Sequence, residues 1–369
     1  MQRSMRVGII LLLLLVLGHA PSAAQHNATL SADKVAKVAA AVRAEMAESK
    51  LPGLSVAVVL DQQLRYAQGF GTADLEDATP AKAATVYRLG SLSKPITATA
   101  VMQLAERGKL DLDAPIQQYC PAFPVKPWPV TARQLLAHLG GVRDYDNQKF
   151  LAEYFSTRHY GSVTESLNIF KDDALLQEPG TKYTYSTYGY NLLGCAVEGA
   201  AAQSYEEYIR ANILTPAGMT QTAVDDIYRI IPNRARGYGK AQDGNLRNTG
   251  LADTSNKIPA GGLVSTVEDL ARFAIALQQN KLIGKAATTQ MWTLQRTRTG
   301  QEIPYGLGWR ISTRNGLREV HHGGAAAGFS TFLYMLPDKG AAVVLMTNLE
   351  LFGQRRDELA RQLADIVLQ

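Results

Sequence analysis

Cysteine is nearly absent from this chain, with only Cys120 and Cys195 among 369 residues. Two thiols exclude a disulfide-built mini-domain. No Cys/His spacing resembles a zinc site, so no metal is expected. The adjacent pair His321–His322 falls in a strand-like run, where neighbours face opposite ways and cannot share an ion. An exported protein can oxidise the two cysteines to a disulfide. Equally, Cys195 in "NLLGCAVEGA" packs well as a small buried thiol. Spacing leaves both open, because it carries no bridge geometry.

Charge of one sign is also scarce. There are 38 Lys and Arg against 33 Asp and Glu, a formal +5. No basic run or interleaved aromatic stripe accompanies it, so neither nucleic acid nor an anionic membrane is an expected partner. Internal repeats, low-complexity tracts and flexible linkers are missing too. The apolar run "VGIILLLLLVLG" has roughly 12 apolar residues, short of the about 20 that a spanning helix needs. Arg3 and Arg6 precede it, and the small residues Ser22 and Ala24 follow in "HAPSAAQ". That order predicts a signal peptide over residues 1–24 and an exported, periplasmic or secreted protein without a membrane anchor.

Residues 25–369 are long enough for one elaborated enzyme domain. "SADKVAKVAAAVRAEMAESK" places Val35, Val38, Val42 and Met46 at helical spacing, with Ser31 as N-cap. Strand-like runs follow at 54–60 and 64–71, around Asp61–Gln62–Gln63. The C-terminal end mirrors this with "YGLGWRIST", an Asn315–Gly316 turn, "LREVHHG", "FSTFLYML", a Pro337–Gly340 turn and "AAVVLMTN". Asn-Gly between alternating runs is a hairpin signal. The last stretch has Leu359, Leu363, Ile366 and Val367 on one side of a helix. Between the ends the pattern is helical: a helix starts at Thr131, and capping boxes are expected at Ser204/Glu207 and Ser265/Glu268. The expected fold is α/β (α+β): one antiparallel sheet of about five strands built from both chain ends and flanked by helices. A sheet lobe (about 25–100 and 255–369) would hold a mostly helical lobe (about 101–254), with a cleft between them for a site.

One short stretch suggests chemistry. "LGSLSKPITATA" (89–100) contains Ser91 and Lys94 in an S-x-x-K arrangement. A chain this long holds about one such tetrapeptide by chance, and Ser31–Lys34 is a second. The first sits at the cap of a solvent-facing helix. The other precedes Pro95, which is tolerated at a helix start, and the apolar run Ile96, Ala100, Val101, Leu104 and Ala105. Ser91 and Lys94 therefore share a face at the N-terminal end of a buried helix. Helix amides favour negative charge there. A Lys against apolar surface loses its proton more readily, which a base near neutral pH requires. A snorkelling Lys beside a capping Ser would look the same locally.

Further stretches resolve that ambiguity. "GKLDLDAPIQQYCPAFP", "VTARQLLAHLGGVRDY", "EPGTKYTYSTYGYNLLG", "IPAGGLVSTVEDLARFA" and "VHHGGAAAGFSTFLYMLP" follow in order, from about residue 50 to 350. Together with "LGSLSKPITA" the chain resembles the serine β-lactamase and penicillin-binding-protein superfamily, class C-like. In motif style it is most similar to the mitochondrial β-lactamase-like serine protease and its bacterial relatives. The resemblance implies Ser91 as nucleophile, with Lys94 and Tyr185 as proton carriers. It also implies an oxyanion hole from the backbone N–H groups of Ser91 and Ala325. The family's Tyr-x-Asn element aligns with Tyr185–Ser186–Thr187, where Thr187 replaces Asn. Its Lys-Thr-Gly element aligns with His322–Gly323–Gly324. Thr187, His322, Gly323 and Gly324 are therefore candidate substrate contacts, with His322 titrating near pH 6.5. A literal Tyr-x-Asn at Tyr145–Asn147 reads as a turn. Tyr183 and Tyr188 read as packing, His321 as structural, and His138 and His159 as ordinary polar residues.

The implied reaction is acyl transfer through a Ser91 acyl-enzyme, with no cofactor. No G-x-S-x-G elbow supports a Ser-His-Asp rival. Both Thr187 and His322 depart from the β-lactamase pattern, so an amide-cleaving peptidase is the leading expectation. An esterase, a β-lactamase or penicillin-binding activity, and a non-catalytic scaffold or binding protein are the alternatives. A small-molecule or peptide is the expected substrate. An oligomer is allowed but not specified.

Overall fold

The computed structural model describes residues 29–369. The expected signal peptide, residues 1–24, lies outside the described residues. Helix α1 (Ala32–Ser49) begins at Ser31, whose hydroxyl accepts the Lys34 N–H, so the first S-x-x-K is a helix cap. Strands β1 (Gly53–Leu60) and β2 (Gln63–Asp74) form a hairpin turned by Asp61 and Gln62. Both turn residues have positive φ, 53° and 56°, as a two-residue turn matching strand twist demands. A two-residue strand, β3 (Thr79–Pro80), pairs with β2. Helix α2 (Lys94–Glu106) and helix α3 (Thr187–Ala201) belong to the central part of the chain. Helix α4 (Val267–Gln278) packs on β1 and the last strand.

The C-terminal end supplies β4 (Arg310–Arg314), β5 (Leu317–Ala326), β6 (Phe329–Leu336), β7 (Ala341–Thr347) and helix α5 (Gln354–Leu368). These seven strands form one antiparallel sheet in the order β3-β2-β1-β7-β6-β5-β4. The two chain ends meet where Val56 pairs with Leu345 and Val58 with Val343. Seven strands stand where about five were expected. Alternation along β1 sends Val56 and Val58 towards α1 and α5, and Ala57 and Val59 towards the large core that contains α2, α3 and α4.

Three local expectations shift. The strand from Tyr305 begins only at Arg310, because Gly308 adopts φ 88° and the Leu307 N–H bonds Met291 O. The expected cap at Ser265 moves to Thr266, which accepts the Asp269 N–H, while Ser265 ends a short strand. The central region is not purely helical: short strands Tyr87–Arg88 and Ala223–Val224 flank Leu263–Ser265. Thr131 and Ser204 cap their helices with capping boxes.

Cys120 and Cys195 form a disulfide across 75 residues, with Cα atoms 5.5 Å apart. It ties α3 to the loop that follows α2. Closing a loop of that length removes denatured-chain entropy worth about 4 kcal/mol. Replacing both cysteines by serine should therefore lower the unfolding free energy by up to that amount. Urea titration of the oxidised protein and the variant checks it.

Candidate active site

Ser91 lies in a 3₁₀ turn, Gly90–Ser93, that leads directly into α2. Gly90 holds φ 54°, and a Cβ there would overlap the backbone of Ala325. Gly324 is equally constrained, because a Cβ would overlap Leu89 O. The hydroxyl of Thr331 on β6 donates to that same carbonyl at 2.7 Å. Two glycines thus let the Ser91 turn and strand β5 touch backbone to backbone, which sets Ala325 beside Ser91.

Lys94, the first residue of α2, is completely buried. Its Nζ lies 3.0 Å from Ser91 Oγ and 2.9 Å from Ala260 O. Burial pulls the amine down to about pH 7; the Asp144 carboxylate works against this and the Arg310 guanidinium with it. The Tyr185 ring lies 4.9 Å from Lys94 Nζ, and the Ser91 hydroxyl is near enough to act on its phenol. Burial raises that phenol above its ordinary value, although the nearby Ser91 hydroxyl opposes the shift. Ser186, next in sequence, caps α3 by accepting the Gly189 N–H, which anchors the Tyr185 segment to a helix end.

His322 is buried and does not titrate near pH 6.5 as expected. Its Nδ1 must donate to the carbonyl of Gly323, 2.8 Å away, so its Nε2 accepts from the Tyr305 hydroxyl at 2.8 Å. Burial, then the charges of Lys94 and Arg310, hold it well below the ordinary imidazole value. His322 is therefore a neutral imidazole at neutral pH. His321 faces Phe332 across the sheet and is pushed down to about 4, chiefly by burial.

These groups open onto a cleft of about 760 Å³ whose lining includes Ser91, Tyr185, Arg310, His322, Gly323, Gly324 and Ala325. Thr187 is not among the lining residues. It is buried, and its N–H donates to Asp144 Oδ1 at 2.9 Å. Strand β4 stops pairing at His321, so on that side the His322–Ala326 edge of β5 carries no strand neighbour among the described residues. Arg310 is exposed at the mouth, 5.9 Å from the Tyr185 ring, and makes no ion pair among the described residues. A second hollow of about 470 Å³, lined in part by Ile227, Leu251 and Phe329, contains none of Ser91, Lys94 or Tyr185. Its arginines are already paired, Arg88 and Arg234 with Asp225 and Arg236 with Glu76.

Several residues of the site had no sequence signal of their own. Asp144 faces Lys94 from the loop after Gly140–Gly141. Lys257 is a second buried lysine, also lowered to about 7, first by burial and then by the charges of Arg88 and Lys94. Its Nζ donates to Tyr154 O at 3.0 Å. His138, read as an ordinary polar residue, is buried against Tyr185. His159 matches that reading better, being partly exposed and paired with Asp253 at 2.8 Å. Tyr188 packs on Phe170 as expected, ring centroids 4.8 Å apart.

Comparison with known proteins agrees with this geometry. The Beta-lactamase family model matches residues 38–368. The serine beta-lactamase-like protein LACTB, mitochondrial, of Homo sapiens is 30% identical over 78% of this chain and 69% of its own length. Penicillin-binding protein 4* of Bacillus subtilis (strain 168) is 32% identical over 77% of this chain and 65% of that protein. The octameric penicillin-binding protein homologue from Pyrococcus abyssi superposes with a TM-score of 0.79 at 27% identity, covering 90% of this chain and 77% of that one.

The lowered Lys94 value has a consequence for stability. Between about pH 7 and its ordinary value of 10.5, Lys94 binds a proton in the unfolded chain but not in the folded one. Folding is therefore favoured as pH rises through that window. The unfolding free energy of the wild type relative to Lys94→Met should increase by about 1.4 kcal/mol per pH unit between pH 7 and 9. Chemical denaturation of both proteins across that range checks it.

Proposed function

This chain belongs to the serine β-lactamase and penicillin-binding-protein superfamily of hydrolases, and on that premise we propose that it is an exported serine peptidase working through a Ser91 acyl-enzyme. One observation carries the reading: a fully buried amine, poised near neutrality, 3.0 Å from Ser91 Oγ. Once neutral, Lys94 has a lone pair that accepts the Ser91 hydroxyl proton, while one N–H stays on Ala260 O. Ser91 Oγ then bonds the substrate carbonyl carbon. The N–H groups of Ser91 and Ala325 receive the oxyanion.

Tyr185 keeps its proton at neutral pH, since its phenol is raised. Its role is to relay a proton from Lys94 to the leaving nitrogen as the C–N bond breaks. Water then attacks the acyl-enzyme and returns a proton to Ser91 through the same groups. His322, neutral and held by Tyr305, supports the β5 strand rather than supplying a cation. Gly323 and Gly324 contribute backbone to the substrate side.

Two features favour a peptide. The unpaired His322–Ala326 edge beside Ser91 offers backbone hydrogen bonds to an extended chain. The free Arg310 at the mouth suits a carboxylate on the substrate. The buried Thr187 leaves no amide side chain in the cleft at the aligned Asn position, which weighs against β-lactam turnover. The Cys120–Cys195 bridge favours export to an oxidising compartment.

A fluorophosphonate should add one adduct to the wild type and none to Ser91→Ala, read by intact mass. Labelling unaffected by the substitution would refute the nucleophile assignment. A persistent penicilloyl adduct would instead point to a penicillin-binding activity. Labelling should also slow about tenfold per unit below pH 7, as Lys94 gains its proton and can no longer accept one. A rate independent of pH between 5 and 8 would remove Lys94 from that role.

A further inference from the structure

Residue 138 holds the backbone on both sides of Tyr185. The His138 carbonyl accepts the Thr184 N–H at 2.9 Å, and its Nδ1 accepts the Ser186 N–H at 3.1 Å. Its ring lies against the Tyr185 ring between those two bonds, centroids 4.2 Å apart and planes inclined by 36°. One residue thus touches three consecutive residues, of which the middle one lines the same cleft as Ser91. His138 reaches this position with φ 58°, a left-handed conformation that costs energy for a side chain of this kind. It is 2% exposed, and its Nε2 has no hydrogen-bond partner among the described residues. An acceptor at Nδ1 puts the proton on Nε2, so the ring is neutral. Everything ionisable that faces it disfavours an added proton or leaves it indifferent. Lys94, His322 and Arg310 are cationic or basic, and Tyr183, Tyr185, Tyr190 and Tyr305 are neutral phenols.

We propose that His138 is the positioning residue of this site, setting the Tyr185 hydroxyl against Ser91 through a neutral imidazole that clamps residues 184–186. The proposal rests on the reading of Tyr185 as proton relay. A strained, buried ring with an unpartnered N–H is a poor choice for packing alone, where an apolar residue would fill the space at lower cost. Its Nδ1 acceptor and its flat face are what the Tyr185 segment takes from the side chain.

The test compares wild type, His138→Ala and His138→Asn in the purified protein. Asn tolerates positive φ and places Oδ1 where Nδ1 stood, but offers no ring face. Amide hydrogen exchange reads the grip without reference to activity. Protection at Ser186 should fall in His138→Ala and persist in His138→Asn, while Thr184, bonded to the backbone carbonyl of residue 138, stays protected in both. Turnover of p-nitrophenyl butyrate reads the consequence. In His138→Ala kcat should drop by about 10²-fold with KM changed by less than about threefold, and His138→Asn should recover about tenfold of the loss.

Thermal unfolding of each variant separates positioning from stability. A kcat loss that tracks the fall in Tm, with no recovery in His138→Asn, would overturn the proposal. So would unchanged exchange protection, or a folded His138→Ala within twofold of wild-type kcat. A wild type that neither labels at Ser91 nor turns over the ester would overturn the hydrolase reading, and this proposal with it. Labelled wild type with unaltered kinetics in His138→Ala overturns the positioning role alone.

Discussion

Burying the Lys94 amine is the constraint around which the site is organised. A charged ammonium without water or a counter-ion in contact is costly, and the chain meets that cost by letting the amine lose its proton near neutrality. Among the described residues, two polar atoms bond it, Ser91 Oγ and Ala260 O. Asp144 is close enough to resist the shift and Arg310 to reinforce it. The same desolvation that neutralises Lys94 raises Tyr185 and depresses His322 and His138. The same burial thus holds the amine near neutrality beside a phenol raised above its ordinary value.

That environment is assembled from segments distant in sequence. The Ser91 turn leads into α2, the Tyr185 segment into α3, Ala260 comes from the stretch before α4, and Ala325 from β5. Each is tied to its neighbours by backbone. Leu89 N–H bonds Leu263 O, Leu89 O accepts from Thr331, and Gly90 and Gly324 permit direct contact between turn and strand. The sheet supports this because β7 pairs with β1, locking the two ends of the chain into one surface. The Cys120–Cys195 bridge adds a covalent tie on the helical side.

Opposite faces of β5 also separate two kinds of chemistry. His322 points into the polar cluster of Tyr305, Tyr190 and His138, whereas His321 packs on Phe332. Adjacent identical residues therefore occupy different environments for no reason but strand alternation. The free edge of the same strand opens beside Ser91 because β4 ends its pairing early.

Much of this was legible in the residues. Alternating runs around Asp61–Gln62 and Asn315–Gly316 specify hairpins, since local backbone preference and side-chain alternation both act over a few residues. The Ser31 cap, the capping boxes at Thr131 and Ser204, and the face carrying Leu359, Leu363 and Val367 were readable for the same reason. Ser91, Lys94 and Tyr185 were legible through motif order, which records short-range spacing. The environment of each side chain was not. Whether Cys120 meets Cys195, that Thr187 is buried, that His322 is buried and neutral, and that Asp144, Lys257 and His138 surround the amine all depend on contacts between segments far apart in the chain. Spacing along a sequence carries local geometry; burial and electrostatic neighbours exist only once the sheet has joined both ends and closed over the helices. The sequence by itself singled out Ser91, Lys94 and Tyr185 as candidates, and the tertiary structure decided their burial, the direction of their pKa shifts and their partners.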